Sequence, residues 1–379
     1  MLRHTLAFLC ASDKTKTVIK SGIHFFKTPF SKADGGIIRP SGGGRLQWIS
    51  LFHILRRLAL VMPAEKGIIS LRMRHFVTLN DVTTEELHCI LEKAVAIKRE
   101  LKLGKVSAPL AGKMLGMIFE KQSLRTRVSF ETGMFQLGGS AMSLGSEIGF
   151  GKRESVKDIA QVLSSMVDAI MFRALEHKSV EDLAANSSCP VINGLTDEAH
   201  PCQALSDMLT ICEIFGQLQD IKLAWVGDAN NVAASLLRAS AKLGLKISIA
   251  APAQYQFDSA KAESLIGVSP AVGFEYELTE DPIKAVRGAH AVYTDVWVSM
   301  GQESEEAYRK QIFAPYQVNG SLLSKARSEA VFLHCLPARR GLEVTDEVMD
   351  SPQSRVVMQA ENRLHAQKGL LVWLLNGAA

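Results

Sequence analysis

Two hydroxyls and two guanidinium groups stand together at Ser123-Leu124-Arg125-Thr126-Arg127. The segment follows an apolar run and precedes a helical pattern. A helix N-terminus adds unpaired backbone N–H groups and a partial positive charge, which together suit a phosphate. Basic residues are unfavourable at that end of a helix unless an anion offsets them; a solvated helix start with an ordinary Ser cap is the other reading. His200-Pro201-Cys202-Gln203 also opens a helix after a strand. There His200 and Gln203 can donate to a carbonyl oxygen that gains negative charge in a transition state, or His200 can simply end a loop. Trp225-Val226-Gly227-Asp228-Ala229-Asn230-Asn231 runs from a strand into a turn without the G-x-G-x-x-G pattern, so a dinucleotide site is not indicated. Asn231 is then either a turn residue or a holder of a small polar substrate. Asp295-Val296-Trp297-Val298-Ser299-Met300-Gly301-Gln302-Glu303 follows another strand, where open α/β sheets place ligands and where a carboxylate can hold an ammonium group. His334-Cys335-Leu336-Pro337 ends one more strand, its Cys335 either a small core residue or a functional thiol.

These segments are positioned by an alternation of helical and strand patterns that begins at Asp81. Thr83 and Glu86 have capping-box spacing, and Leu87, Ile90, Leu91, Ala94 and Ile97 follow at helical spacing. Short apolar runs at 113–119, 169–172 and 191–192 predict strands; helices are expected over 128–137, over 155–166 and from Pro201. A second series predicts strands at 223–226, 247–251, 289–294 and 330–336, with a helix over 232–243. Short buried strands alternating with helices imply an α/β fold of two doubly wound domains, each with a central parallel sheet. The expected divisions are 73–212, 213–350 and a C-terminal helical segment, 351–379, packing back on the first domain.

The chain has 379 residues, 47% of them hydrophobic, enough for two domains with real cores. Its net charge of +4 is unevenly spread: residues 1–72 carry twelve Lys/Arg against three Asp/Glu, and residues 73–379 carry 31 against 36. The folded part is therefore mildly acidic and has no nucleic-acid footprint. The basic, Gly- and Ser-punctuated 1–72 is read as an extension that is disordered or not native, with an organelle transit peptide as the alternative. Met73 opens M-R-H-F-V-T-L, a natural start for the folded part. The six cysteines form no C-x-x-C pair and no zinc spacing, so free thiols in a reducing, cytoplasmic setting are expected, with no metal. The apolar stretch 51–62 is too short and too charged to span a membrane.

Taken in order and spacing, S-L-R-T-R, H-P-C-Q, D-V-W-V-S-M-G-Q-E and H-C-L-P resemble the motifs of the carbamoyltransferases across essentially all of 73–379. The S-M-G loop and H-C-L-P resemble the ornithine branch, and E-N-R-L-H-A-Q-K at 361–368 is similar to the C-terminal helix of its bacterial members. The resemblance implies transfer of a carbamoyl group from carbamoyl phosphate to the δ-amine of ornithine, in arginine biosynthesis. It implies no cofactor and a homotrimer or a multiple of one. By it, Ser123, Leu124, Arg125 and Thr126 bind the phosphate, and Arg173, His200, Gln203 and Arg363 complete that site. Cys335 and Leu336 contact the reacting groups. Asn231, Asp295, Ser299 and Met300 match the ornithine positions, with Arg125, His200, Asp295 and Cys335 the expected catalytic set. Two departures stand out. Leu124 replaces a usual Thr, which predicts weaker phosphate binding, and Gly149 stands where a Gln or His normally reaches into a neighbouring subunit's site. A carbamoyltransferase for a different amine and a non-catalytic paralogue are the competing expectations.

Overall fold

The computed structural model describes residues 73–105, 107–145, 149–150, 153–298 and 303–376. The expectations placed on residues 1–72, Ser299 and Met300 lie outside the described residues.

The first half comprises α1 (Thr84–Lys102), β1 (Met114–Phe119), α2 (Leu124–Gln136), β2 (Ser140–Leu144), α3 (Val156–Ser164), β3 (Ala169–Arg173), α4 (His177–Asn186), β4 (Val191–Leu195) and α5 (Pro201–Phe215). The second comprises β5 (Lys222–Val226), α6 (Asn231–Leu243), β6 (Lys246–Ala250), α7 (Ser259–Ile266), β7 (Glu275–Thr279), α8 (Pro282–Val286), β8 (Ala291–Thr294), α9 (Glu306–Phe313), α10 (Gly320–Leu323), β9 (Val331–His334), α11 (Asp346–Met349) and α12 (Val356–Asn376). Two sheets result, in the orders β2-β1-β3-β4 and β7-β6-β5-β8-β9. All their strand pairs are parallel.

Alternate strand residues face different cores. Leu115, Met117 and Met171 point into one cluster, and Ile118, Ile170 and Phe172 into another on the opposite face. Trp225 and Tyr293 continue the first cluster on the second sheet, whereas Val226, Val292 and Phe332 face a third. Both faces of both sheets are thus covered, which is why the central strands read as nearly continuous apolar runs. The first cluster runs from one sheet to the other through α1, α5, α6 and α12. Helix α12 packs against α1, α2 and α5. At the α1 crossing, Gly369 permits close approach: a Cβ there would lie 2.5 Å from the Ile90 carbonyl oxygen.

The elements differ from the sequence reading in instructive places. Helix α2 starts at Leu124, not 128, because Ser123 caps it by accepting the Thr126 N–H; Leu124, Arg125 and Thr126 thus occupy its first turn. Strands β2 and β7 were not anticipated. Both are edge strands whose residues are largely exposed or half-buried, so they lack the apolar run that marks the inner strands. Helix α5 runs past residue 212 and ends at Gly216, held in the left-handed conformation at φ +75°. The Thr83/Glu86 capping box forms as its spacing predicts, with both reciprocal bonds present.

Candidate active site

Parallel sheets present ligand sites beyond the carboxyl ends of their strands, where the strand order reverses. Here those reversals fall between β1 and β3 and between β5 and β8. A cavity of about 620 Å³ opens at these strand ends. Ser123 and Arg125 reach it from the N-terminus of α2, Arg173 from the end of β3 and His200 from the start of α5. From the second half, Asn231 comes from the start of α6, Asp295 from the end of β8, and Cys335 and Leu336 from the end of β9. Arg363, on α12, completes the wall.

Part of the cavity wall is cationic. Arg173 and Arg363 are almost fully buried, yet each keeps an Nε–H without a protein partner. Burial, together with the neighbouring Arg363 and Arg125, pulls Arg173 down to about 10. His200 is 3% exposed, its Nδ1 unpartnered. Burial and the three guanidinium groups hold its pKa well below the ordinary imidazole value, so it is neutral near pH 7. Three arginines and a neutral imidazole around one cavity are a self-repelling arrangement that an anion relieves.

Another part of the wall is acidic. Asp295 accepts from Asn230 Nδ2 at 2.9 Å and from the Cys335 thiol at 3.0 Å. Burial, with the Asp295 carboxylate beside it, raises the Cys335 pKa well above the usual thiol range, so the sulfur is a protonated donor rather than a thiolate. Asp228 is engaged elsewhere: it pairs with Arg309, which also donates to the Trp297 carbonyl and stacks over Tyr255 at 4.3 Å. Asp295, His334 and Cys335 offer ligand atoms within 4.8 Å of one another. His334, however, has both ring nitrogens occupied, Nδ1 by the Leu336 N–H and Nε2 by Glu343. A metal would have to displace one of those bonds.

Three expected residues are not part of the wall: two stand behind it and one faces solvent. Thr126 is fully buried and accepts from Arg363 Nη2 at 2.8 Å; Gln203 accepts from Arg363 Nη1 at 3.2 Å. The third, Leu124, is 77% exposed and absent from the lining, so its side chain does not face the cavity. Asn231 donates to the Thr196 carbonyl at 2.5 Å. Lys121 and Arg339 line the cavity without having been singled out, since neither sits in a distinctive pattern, and Asp228 lines it from a segment of which only Asn231 was expected to act. Asn230, which holds Asp295, is an ordinary helix cap by sequence; its side chain caps α6 through Oδ1 and leaves Nδ2 free for the acid.

Residues 74–213 match the model described as aspartate/ornithine carbamoyltransferase, carbamoyl-P binding domain. Residues 219–374 match its companion, the Asp/Orn binding domain. The chain belongs to the aspartate/ornithine carbamoyltransferase family. The two family domains coincide with the two sheets, and the cavity lies where their strand ends meet. Within the family, the ornithine carbamoyltransferase of Bacillus subtilis is 52% identical over 307 residues, covering 81% of this chain and 95% of that protein. The solved structure of the Pyrococcus furiosus ornithine carbamoyltransferase is 49% identical, with a TM-score of 0.77 over 82% of this chain and all of that one. The anabolic ornithine carbamoyltransferase of Campylobacter jejuni is 37% identical, with a TM-score of 0.74 over 80% of this chain and 99% of that structure.

Proposed function

We propose that this protein is an ornithine carbamoyltransferase that converts carbamoyl phosphate and L-ornithine to L-citrulline and phosphate. The observation that carries this reading is the polarity of the cavity, cationic around Arg125, Arg173 and Arg363 and acidic at Asp295. The guanidinium groups suit a phosphate dianion and the carboxylate an amino-acid ammonium group, and family membership supplies the reaction that joins them.

In this reading the α2 N-terminus takes the phosphate through Ser123, the backbone N–H groups of its first turn and Arg125. Arg173 and Arg363 offset its remaining charge, with Thr126 and Gln203 fixing Arg363. Attack on the carbamoyl carbon creates an oxyanion, to which Arg125 and the neutral His200 donate. The δ-amine must be neutral to attack, and an alkyl ammonium has a pKa of ~10.4, so a proton must leave. Asp295 orients that amine, and Cys335, held protonated, fixes the carboxylate instead of acting as a base. That first proton goes to solvent before the attack, and the second proton, shed by the nitrogen as the new C–N bond forms and the C–O bond to phosphate breaks, passes to the departing phosphate. Asn231, Ser299 and Met300 hold the rest of ornithine, and Leu336 contacts the carbamoyl group. The name of one relative, the anabolic enzyme of Pyrococcus furiosus, supports arginine biosynthesis as the role.

We place the protein in the cytoplasm as a homotrimer or a multiple of one. Five cysteines among the described residues are free thiols, and no described helix is long and apolar enough to cross a membrane. Leu124, Val128 and Phe135 share one face of α2 and are 77%, 51% and 80% exposed, an apolar stripe suited to a second copy.

Citrulline formation by the purified protein, offered ornithine, putrescine or aspartate with carbamoyl phosphate, tests the reading. Product with ornithine alone is expected. Product with another amine moves the assignment within the family, and silence with all three from a folded protein rejects catalysis.

A further inference from the structure

Behind the cavity lies a buried carboxylate that no part of the reaction above uses. Asp207, on α5, is 0% exposed. Its Oδ1 accepts from the side-chain amides of both Gln203, at 2.8 Å, and Gln359, at 2.7 Å. Its Oδ2 accepts from the Tyr293 hydroxyl at 3.2 Å. Three parts of the molecule therefore converge on this acid: α5 of the first half, β8 of the second and the C-terminal α12.

An amide can point either way, and the choice decides what it offers its next neighbour. With both nitrogens turned toward Asp207, both oxygens are turned outward as acceptors. Gln203 Oε1 accepts from Arg363, whose other nitrogen donates to Thr126 in the first turn of α2. Gln359 Oε1 accepts the His334 N–H at 2.9 Å, His334 Nδ1 accepts the Leu336 N–H at 2.9 Å, and the Leu336 carbonyl accepts from Arg125 at 2.7 Å. Arg125 and Thr126 are neighbours in the chain, so the bonds close into a ring. It joins two of the cavity arginines, Arg125 and Arg363, through Asp207 at its far side. Leu336 sits at φ +59°, a left-handed conformation rare outside glycine and held here by bonds on both its N–H and its carbonyl.

We propose that Asp207 is a positioning residue for the anion site, fixing the amide polarity of Gln203 and Gln359 and thereby the placement of Arg363 and Arg125. It touches no substrate and acts through the ring. The role rests on the reading that the cationic part of the cavity wall binds phosphate.

The test exploits a difference of sign. At pH 8, above the value of about 7 to which burial raises Asp207, removing its negative charge from behind three guanidinium groups, taken alone, tightens anion binding. Loss of positioning weakens it. Binding of inorganic phosphate to the full chain is measured by calorimetry alongside kcat and the KM for each substrate. Asp207→Asn keeps an oxygen acceptor for both glutamines, so phosphate should bind as tightly as in the wild type or more so, with kcat within about fivefold. Asp207→Leu removes the acceptor; phosphate should bind at least tenfold more weakly and kcat should fall further than the KM for ornithine rises. A folded leucine variant that binds phosphate as well as the wild type overturns the proposal, as does an asparagine variant as impaired as the leucine one. Should Asp207→Leu not fold, Gln203→Met cuts the ring between Asp207 and Arg363. Gln203 does not line the cavity, so its loss must reach phosphate through Arg363, and unchanged phosphate affinity there again overturns the proposal. A wild type that binds phosphate but makes no citrulline would reject the function above while leaving the phosphate comparison decisive. A wild type that binds no phosphate would overturn both.

Discussion

His200 is a buried imidazole with an unpartnered ring nitrogen and three arginines around it, so its work is done uncharged. Replacing it with alanine removes one oxyanion donor and should lower kcat by about 10²–10³ with little change in the KM for ornithine, read from steady-state citrulline formation. Leu124 presents the opposite case. The missing hydroxyl predicted weak phosphate binding, but the side chain is turned to solvent. Leu124→Thr should therefore shift carbamoyl phosphate affinity by no more than about twofold, as expected of a substitution outside the cavity. Asp207 carries a pH signature. Burial, opposed by its hydrogen bonds from Gln359, Gln203 and Tyr293, pushes it up from 3.8 to about 7. Between those values the folded chain holds a proton that the unfolded chain has released, so this group's contribution is present at low pH and lost as pH rises through about 7. Relative to the wild type, Asp207→Asn should thus gain stability as pH rises across that window, on the order of 1 kcal/mol per unit, measured by urea unfolding at a series of pH values. A flat difference would show the carboxyl to be unperturbed.

At the scale of elements, the connections after β5 and β8 are tied together by Arg309. This side chain, 1% exposed, pairs with Asp228 after β5, bonds the Trp297 carbonyl after β8 and lies over Tyr255. Arg309→Met leaves Asp228 buried without its cation, which typically costs 3–5 kcal/mol. Burial, only partly offset by Arg309, already raises Asp228 to about 6, so it can take up a proton and limit the damage. We expect a loss of about 3 kcal/mol in chemical denaturation, partly recovered when Asp228→Asn is added. No recovery in the double variant would mean that the guanidinium acts through Trp297 and Tyr255 rather than through the acid. Elsewhere, helical periods were readable because apolar residues repeat and caps such as Thr83 stand at their starts. The edge strands were not readable, since their half-exposed residues give no apolar run.

For the whole molecule, the proposed trimer has a specific consequence. Phe135 lies 80% exposed on the α2 stripe, two turns beyond Val128. Phe135→Glu places a charge within an apolar contact and should shift the protein toward monomer by analytical ultracentrifugation, because an unpaired buried charge costs several kcal/mol. An unchanged mass would put the contact elsewhere on the surface.

What the sequence by itself determined was the chemistry that the segments bear. Hydroxyl-guanidinium, imidazole-amide, carboxylate and thiol motifs each sit at a strand-to-element junction, because parallel strands must release their chains at the carboxyl end before crossing back. The tertiary structure alone decided which of those groups face one cavity and which stand behind it. Gln203 and Thr126 belong to the motifs yet serve by holding Arg363, and Leu124 points away, because a helix turns successive residues through roughly 100° and only some of a motif can face inward. The Asp207 ring could not be read from the chain at all. Its members are brought together from α2, α5, β8, β9 and α12, and a hydrogen-bonded ring closed across such distances in sequence exists only once both sheets and the C-terminal helix are in place.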